Sequence, residues 1–177
     1  MEPWEFHPAL VHFPIAFLVG AVLFDLDAWR RGDPARALVA TGLLWAGVAT
    51  AALAAAAGVL AFFTAPASFT EEAGQMVWWH IGAAVTAFVL FAIVAFVRWR
   101  RRPAQPPAWT RVVGLVAALV LGFAGYVGGY MVYHGATGIE PKLLAPELRE
   151  KQTKKQESSQ KPTSGGSALH ALPRGLG

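Results

Sequence analysis

Apolar residues run along this chain in four long blocks that lack the alternating polar face of a soluble helix or strand. They extend from about Pro8 to Trp29, Leu38 to Phe63, Met76 to Trp99 and Arg111 to Tyr133. Each block supplies the roughly 20 mostly apolar residues with which a helix rising 1.5 Å per residue crosses a hydrocarbon core of about 30 Å. Gly32-Asp33-Pro34 interrupts the pattern after the first block, and Pro103-Ala104-Gln105-Pro106-Pro107 stiffens the connection after the third, because proline cannot continue a helix. Short connectors make successive helices antiparallel neighbours. The pattern therefore predicts an all-α membrane protein, a four-transmembrane-helix up-down bundle occupying residues 1–140. From 141 to 177 the sequence is rich in Glu, Lys, Gln, Ser and Gly. It cannot bury enough apolar surface to offset the entropy of ordering, so a disordered tail is expected, with Leu143, Leu144 and Leu148 at most forming a short surface helix.

Composition agrees with this reading. Of 177 residues, 55% are hydrophobic and 15% charged, whereas soluble domains carry about 25% charged residues. The absence of cysteine excludes disulfides, thiolate metal sites, CxxC redox motifs and covalent haem attachment. The net charge of +4 does not point to nucleic acid, since the basic residues flank the apolar blocks or lie in the tail and form no single stripe.

Charge does orient the bundle. Arg30, Arg31 and Arg36 follow the first block, and Arg98, Arg100, Arg101, Arg102 and Arg111 surround the connection after the third. The N-terminus and the connection from Thr64 to Gln75 hold Glu2, Glu5, Glu71 and Glu72 but no Lys or Arg. Short loops rich in Lys and Arg stay in the cytoplasm, so both termini are expected on the non-cytoplasmic side of a bacterial inner membrane. Trp4, Trp78 and Trp79 fall at the outer interface and Trp29, Trp99 and Trp109 at the inner one, as aromatic belts do. The acidic start, Met-Glu-Pro-Trp-Glu, lacks the basic region of a signal peptide, so the first block is expected to stay.

Four of the five histidines, His7, His12, His80 and His134, then share the outer side. Pro8 suits the first position of a helix, which makes His7 an expected capping residue. Five residues correspond to about 140° of helical rotation, so His7 and His12 should face different ways. His12 lies deeper among apolar neighbours, and His80 is followed by the small residues Gly82, Ala83, Ala84 and Ala87. In the fourth block Gly114, Ala118, Gly122, Gly125, Gly128 and Gly129 recur at three- and four-residue steps before Tyr130, Tyr133 and His134. Such a face commonly serves helix packing. It would also admit a flat cofactor ligated by histidine, the strongest metal ligand available in a cysteine-free chain. At the inner end, Asp25 and Asp27 stand beside Arg30 and Arg31, where a local ion pair is the expected arrangement. No GxSxG, HExxH or phosphate-binding loop is present, which leaves an enzyme acting alone the least supported class.

The segments His7-Pro8-Ala9-Leu10-Val11-His12-Phe13-Pro14 and Gly125-Tyr126-Val127-Gly128-Gly129-Tyr130-Met131-Val132-Tyr133-His134-Gly135 resemble the bacterial predicted membrane proteins grouped as domain of unknown function 2231. The resemblance covers about Glu5 to Ile139 and implies a small four-helix inner-membrane domain, in some cases beside cytochrome-like or respiratory partners, with no activity attached. Its motif falls on His7, Pro8, His12, Pro14, Gly129, Tyr133, His134 and Gly135, and His80 matches a histidine early in the third span. Tyr130 departs from it, standing where an acidic residue is expected.

Three functions follow as expectations. The first is a redox or electron-transfer subunit holding b-type haem near the outer face, with His12, His80 and His134 as candidate ligands, His7 auxiliary, and Gly125, Gly129 and Tyr133 beside the cofactor. The second is a copper or zinc site built from the same histidines. The third is a structural subunit without cofactor, packed by its glycine face against a respiratory or cytochrome complex or a second copy.

Overall fold

A computed structural model describes residues 2–66, 70–101 and 106–139, with isolated positions between 143 and 157. The proposed surface helix at Leu144 and Leu148, and most of the tail, lie outside the described residues. A 3₁₀ turn, Pro3–Glu5, leads into α1 (Phe6–Leu10), followed by α2 (His12–Arg31), α3 (Pro34–Thr64), α4 (Glu71–Arg101) and α5 (Ala108–Gly135). All four expected spans are present, and among the described residues four helical rods are long and apolar enough to cross a membrane.

The helices overrun the apolar blocks by a few residues at most of their ends. The first rod begins at Pro3, before the expected Pro8, so His7 lies inside α1 and does not cap it. Glu2 and Glu5 close that end through a reciprocal capping box. The break between α1 and α2 at Val11 has a covalent cause: Pro14 has no N–H to give to the carbonyl of Leu10. The rod nevertheless continues through the bonds Val11 N to His7 O and Ile15 N to Val11 O. At the other end Gly32 takes φ +65°, turning the chain out of α2, and the Asp33 carboxylate accepts from the N–H groups of Ala35 and Arg36 to start α3. Chiefly the Ala35 N–H holds the Asp33 carboxyl below its ordinary range.

Within each hairpin, α2 on α3 and α4 on α5, the interface is made of small residues. Ala21, Ala28, Ala40, Ala54 and Ala57 are buried in the first, and Ala87, Ala95, Ala117 and Ala124 in the second. Small side chains let backbones approach closely where lipid offers no hydrophobic contrast. Gly47 shows how close: a Cβ there would lie 2.5 Å from Leu18 Cδ2 and 3.2 Å from its backbone nitrogen. Gly47→Ala gains up to about 1 kcal/mol of helix propensity but overpacks a site that a rotamer change cannot relieve. It is expected to lower stability in detergent unfolding by on the order of 1–2 kcal/mol. Gly42→Ala, with open space around it, should be neutral or stabilising.

The outside carries the large side chains. Leu38, Phe63 and Leu119 are among the many bulky apolar residues fully or mostly exposed. An apolar exterior on this scale, far beyond the few hundred Å² tolerated in water, is a lipid-facing surface. The hairpins meet through a shared cluster of Leu18, Ala21, Leu44, Phe91, Val94, Ala95 and Ala117.

The two hairpins repeat one another. His7 and His80, Leu18 and Phe91, and Asp25 and Arg98 are each 73 positions apart; Ala40 and Thr110, Ala54 and Ala124, and Gly58 and Gly128 are each 70 apart. The paired positions match in burial: Leu18 and Phe91 are 2% and 1% exposed, Ala40 and Thr110 0% and 1%. Contacts between hairpins run α3 to α4 and α2 to α5, the pattern a two-fold relation about the bundle axis requires.

Candidate functional site

The pseudo-two-fold axis carries polar side chains at both ends. At the arginine end Arg98 Nη2 lies 2.8 Å from Asp25 Oδ2, with both side chains buried, and Arg98 Nη1 donates to Thr41 Oγ1 at 3.2 Å. This corrects the expectation that Asp25 pairs locally. Its partner comes from α4 because Asp25 points to the axis, while Asp27, on the outer face, binds Arg31 at 2.9 Å and Arg36.

At the opposite end His7 and His80 meet across the axis. Their ring centroids are 6.1 Å apart with the planes at 87°. His7 Nδ1 is 2.9 Å from the carbonyl oxygen of Ala54, and His80 Nδ1 is 2.9 Å from that of Ala124. A carbonyl can only accept, so Nδ1 carries a proton in both rings, and in the neutral form of each the lone pair lies on Nε2. Each ring also lies against a glycine one turn beyond its acceptor. A Cβ at Gly58 would come within 3.0 Å of His7 Nδ1, and one at Gly128 within 3.2 Å of His80 Nδ1. The two halves thus seat their histidines by the same device: a small residue, an alanine carbonyl and a fixed tautomer.

The remaining candidates lie apart from this pair. His12 faces outward, on the side of the rod away from His7, as the five-residue spacing requires. His134 is exposed and stacks on Tyr130, ring centroids 4.3 Å apart. Tyr130 donates from its hydroxyl to Glu72 Oε1 at 2.8 Å, so a carboxylate from α4 stands beside the position where the motif departs from the acidic pattern. Tyr133 is exposed, and Gly125 and Gly129 have open space where a Cβ would be. Among the described residues no group of three or more His, Asp or Glu is gathered for a metal ion.

The histidine end is tied down by its flanks. Trp4 Nε1 donates to the carbonyl of Gly138 at 3.1 Å, and Gly138 N–H donates to Pro66 O, so the N-terminal turn, the α3 exit and the α5 exit converge. Residues 4–141 match the family model described as predicted membrane protein (DUF2231). The chain belongs to the DUF2231 family. No curated protein and no solved structure matches it. The family description supplies the membrane assignment and no chemistry, so function in this DUF2231 chain has to be argued from the histidine pair.

Sequence reasoning set His80 in the site but gave His7 a secondary place and passed over Gly58 and Ala54. The signal was available as His7 and His80 at one internal offset and Gly58 and Gly128 at another. Gly128 stood in the small-residue stripe without being distinguished from Gly125 and Gly129.

Proposed function

We propose that this DUF2231 protein is a membrane electron-transfer subunit that holds a b-type haem between His7 and His80, near the non-cytoplasmic face. The observation that carries the reading is the pair itself: two inward imidazoles on different helices, tautomers fixed by backbone carbonyls, Nε2 free on both. A haem iron takes four nitrogens from its macrocycle and asks the protein for two axial ligands, whereas zinc asks for about four. With ring centres 6.1 Å apart and Nδ1 of each tied to a backbone carbonyl, His7 and His80 would hold such a group from two different helices. The cluster shared by the hairpins begins at Leu18 and Phe91, three turns away along each helix, so a flat group between the rings does not have to break it.

Bound haem supplies one-electron redox chemistry. Ala54 and Ala124 orient the ligands and raise their basicity through the Nδ1 hydrogen bonds. The ring pair is half-buried at its end of the bundle, and the arginine-rich end faces the cytoplasm, with a respiratory or cytochrome partner docking at the histidine end.

The test is haem content by alkaline pyridine spectroscopy of purified variants. His7→Ala and His80→Ala are each expected to reduce haem per chain at least tenfold, while His12→Ala and His134→Ala retain it. Equal retention in all four would overturn the assignment.

A further inference from the structure

The two halves of the repeat differ at the histidine end. His80 stands on α4, which runs unbroken from Glu71 to Arg101, whereas His7 stands on the five-residue α1, separated from α2 at Val11. The counterparts of Pro8 and Pro14, 73 positions on, are Ile81 and Ala87, so both prolines belong to the first half alone. Proline has no N–H, and Pro8 therefore leaves the carbonyl of Trp4, and Pro14 that of Leu10, without a helical donor. The helical ladder is thinned on either side of His7, while α4 has no proline in the matching turns.

The N-terminal segment is lightly held. The 3₁₀ turn and α1 pack on α3, in their own hairpin, and make few contacts with α4 or α5. Across the hairpins the segment is tied by the bond from Trp4 Nε1 to the carbonyl of Gly138 at 3.1 Å and by the edge contact of His7 with His80. The acceptor side of that bond is anchored. Ala136 at φ +48° and Gly138 at φ +76° turn the chain back beyond α5, and Gly138 N–H donates to Pro66 O. Two rings that meet edge to face at 6.1 Å admit a flat ligand between them only when one of them withdraws. The ring set on the interrupted rod is His7.

We propose that Pro3–Leu10 is a gate: it swings about the break between Val11 and Pro14, with the Trp4–Gly138 bond as its latch, and carries His7 away from His80 so that a flat macrocycle enters from that end. His80 stays in place. The identity of the ligand rests on the haem reading, whereas the gate rests on the proline break and the latch.

The test compares the full chain in mild detergent with Trp4→Phe, which keeps a ring and removes the donor, and with Pro14→Ala, which installs the residue found at Ala87 and restores a donor to Leu10. Amide hydrogen exchange of the haem-free protein reads the gate. Stopped-flow haem uptake, and release to a haem-scavenging protein, read passage through it. One neutral hydrogen bond corresponds to about a fivefold change in an opening equilibrium, so exchange from His7 to Val11 should rise about fivefold in Trp4→Phe and fall by about that factor in Pro14→Ala. Exchange in the turn around His80 should not change. Haem uptake and release should both quicken in the first variant and both slow in the second, so that affinity moves by less than about twofold. If either variant fails to fold, the other, which acts in the opposite direction, carries the comparison. Exchange that is indifferent to the variants, or faster release without faster uptake in Trp4→Phe, would overturn the gate. The expected exchange changes in a wild-type chain that takes up no haem would support the gate and overturn the haem reading alone.

Discussion

Asp25→Ala is expected to destabilise the bundle by about 3–5 kcal/mol, as is Arg98→Ala, because each leaves a buried charge without its partner. In lipid the stranded ion cannot recover the loss by hydration. The double alanine variant should cost less than the sum of the singles, since an ion pair repays its own desolvation and little more. The repeat adds a sharper expectation. Because Asp25 and Arg98 are equivalent positions of the two hairpins, exchanging them as Asp25→Arg with Arg98→Asp keeps a pair across the same axis. The exchange should regain at least half of the loss measured for either single variant. Recovery is incomplete because Arg98 now donates to Thr41, whereas the corresponding position of α5 is Arg111, a cation. Denaturation by a charged detergent, followed by circular dichroism, measures all four variants. An exchanged pair no more stable than the singles would contradict the two-fold relation.

The second large effect is expected at glycine. Gly58→Ala and Gly128→Ala place a methyl group 3.0 and 3.2 Å from ring atoms of His7 and His80, which are held in position by hydrogen bonds to Ala54 and Ala124. To make room a ring must shift by a few tenths of an ångström, which strains the hydrogen bond that fixes its tautomer. Loss of such a supporting bond lowers metal affinity by about 10–100-fold in metalloproteins. Haem affinity in a titration should fall by that order for either variant, while stability changes by no more than about 1–2 kcal/mol, propensity gain offsetting part of the overpacking. Gly122→Ala and Gly125→Ala, in open space, serve as controls and should bind as the wild type. Equal affinity in all four would separate the glycines from the site.

The spans were legible because bilayer thickness imposes a length and an apolarity that few other structures need. Which face of each helix turns inward was not. A soluble helix announces its buried face by contrast, but here both faces are apolar, and the contrast is one of size: alanines and glycines inside, Leu38, Phe63 and Leu119 outside. The five-residue spacing of His7 and His12 placed them on different faces without saying which was inner. Asp25 misled for a related reason, since sequence proximity favours Arg30 and Arg31, while rotation about α2 brings Asp25 to Arg98. The repeat was hidden by its connection: 15 residues separate Asp25 from Ala40 but 12 separate Arg98 from Thr110, so no single period aligns the halves.

The most direct measurement is a visible absorption spectrum, with metal analysis, of the full chain purified in mild detergent from haem-replete cells. A haem held by His7 and His80 predicts a Soret band with the sharp reduced bands of six-coordinate low-spin iron, and about one iron per chain. A colourless protein without iron from such cells, or one whose metal is copper or zinc, would contradict it.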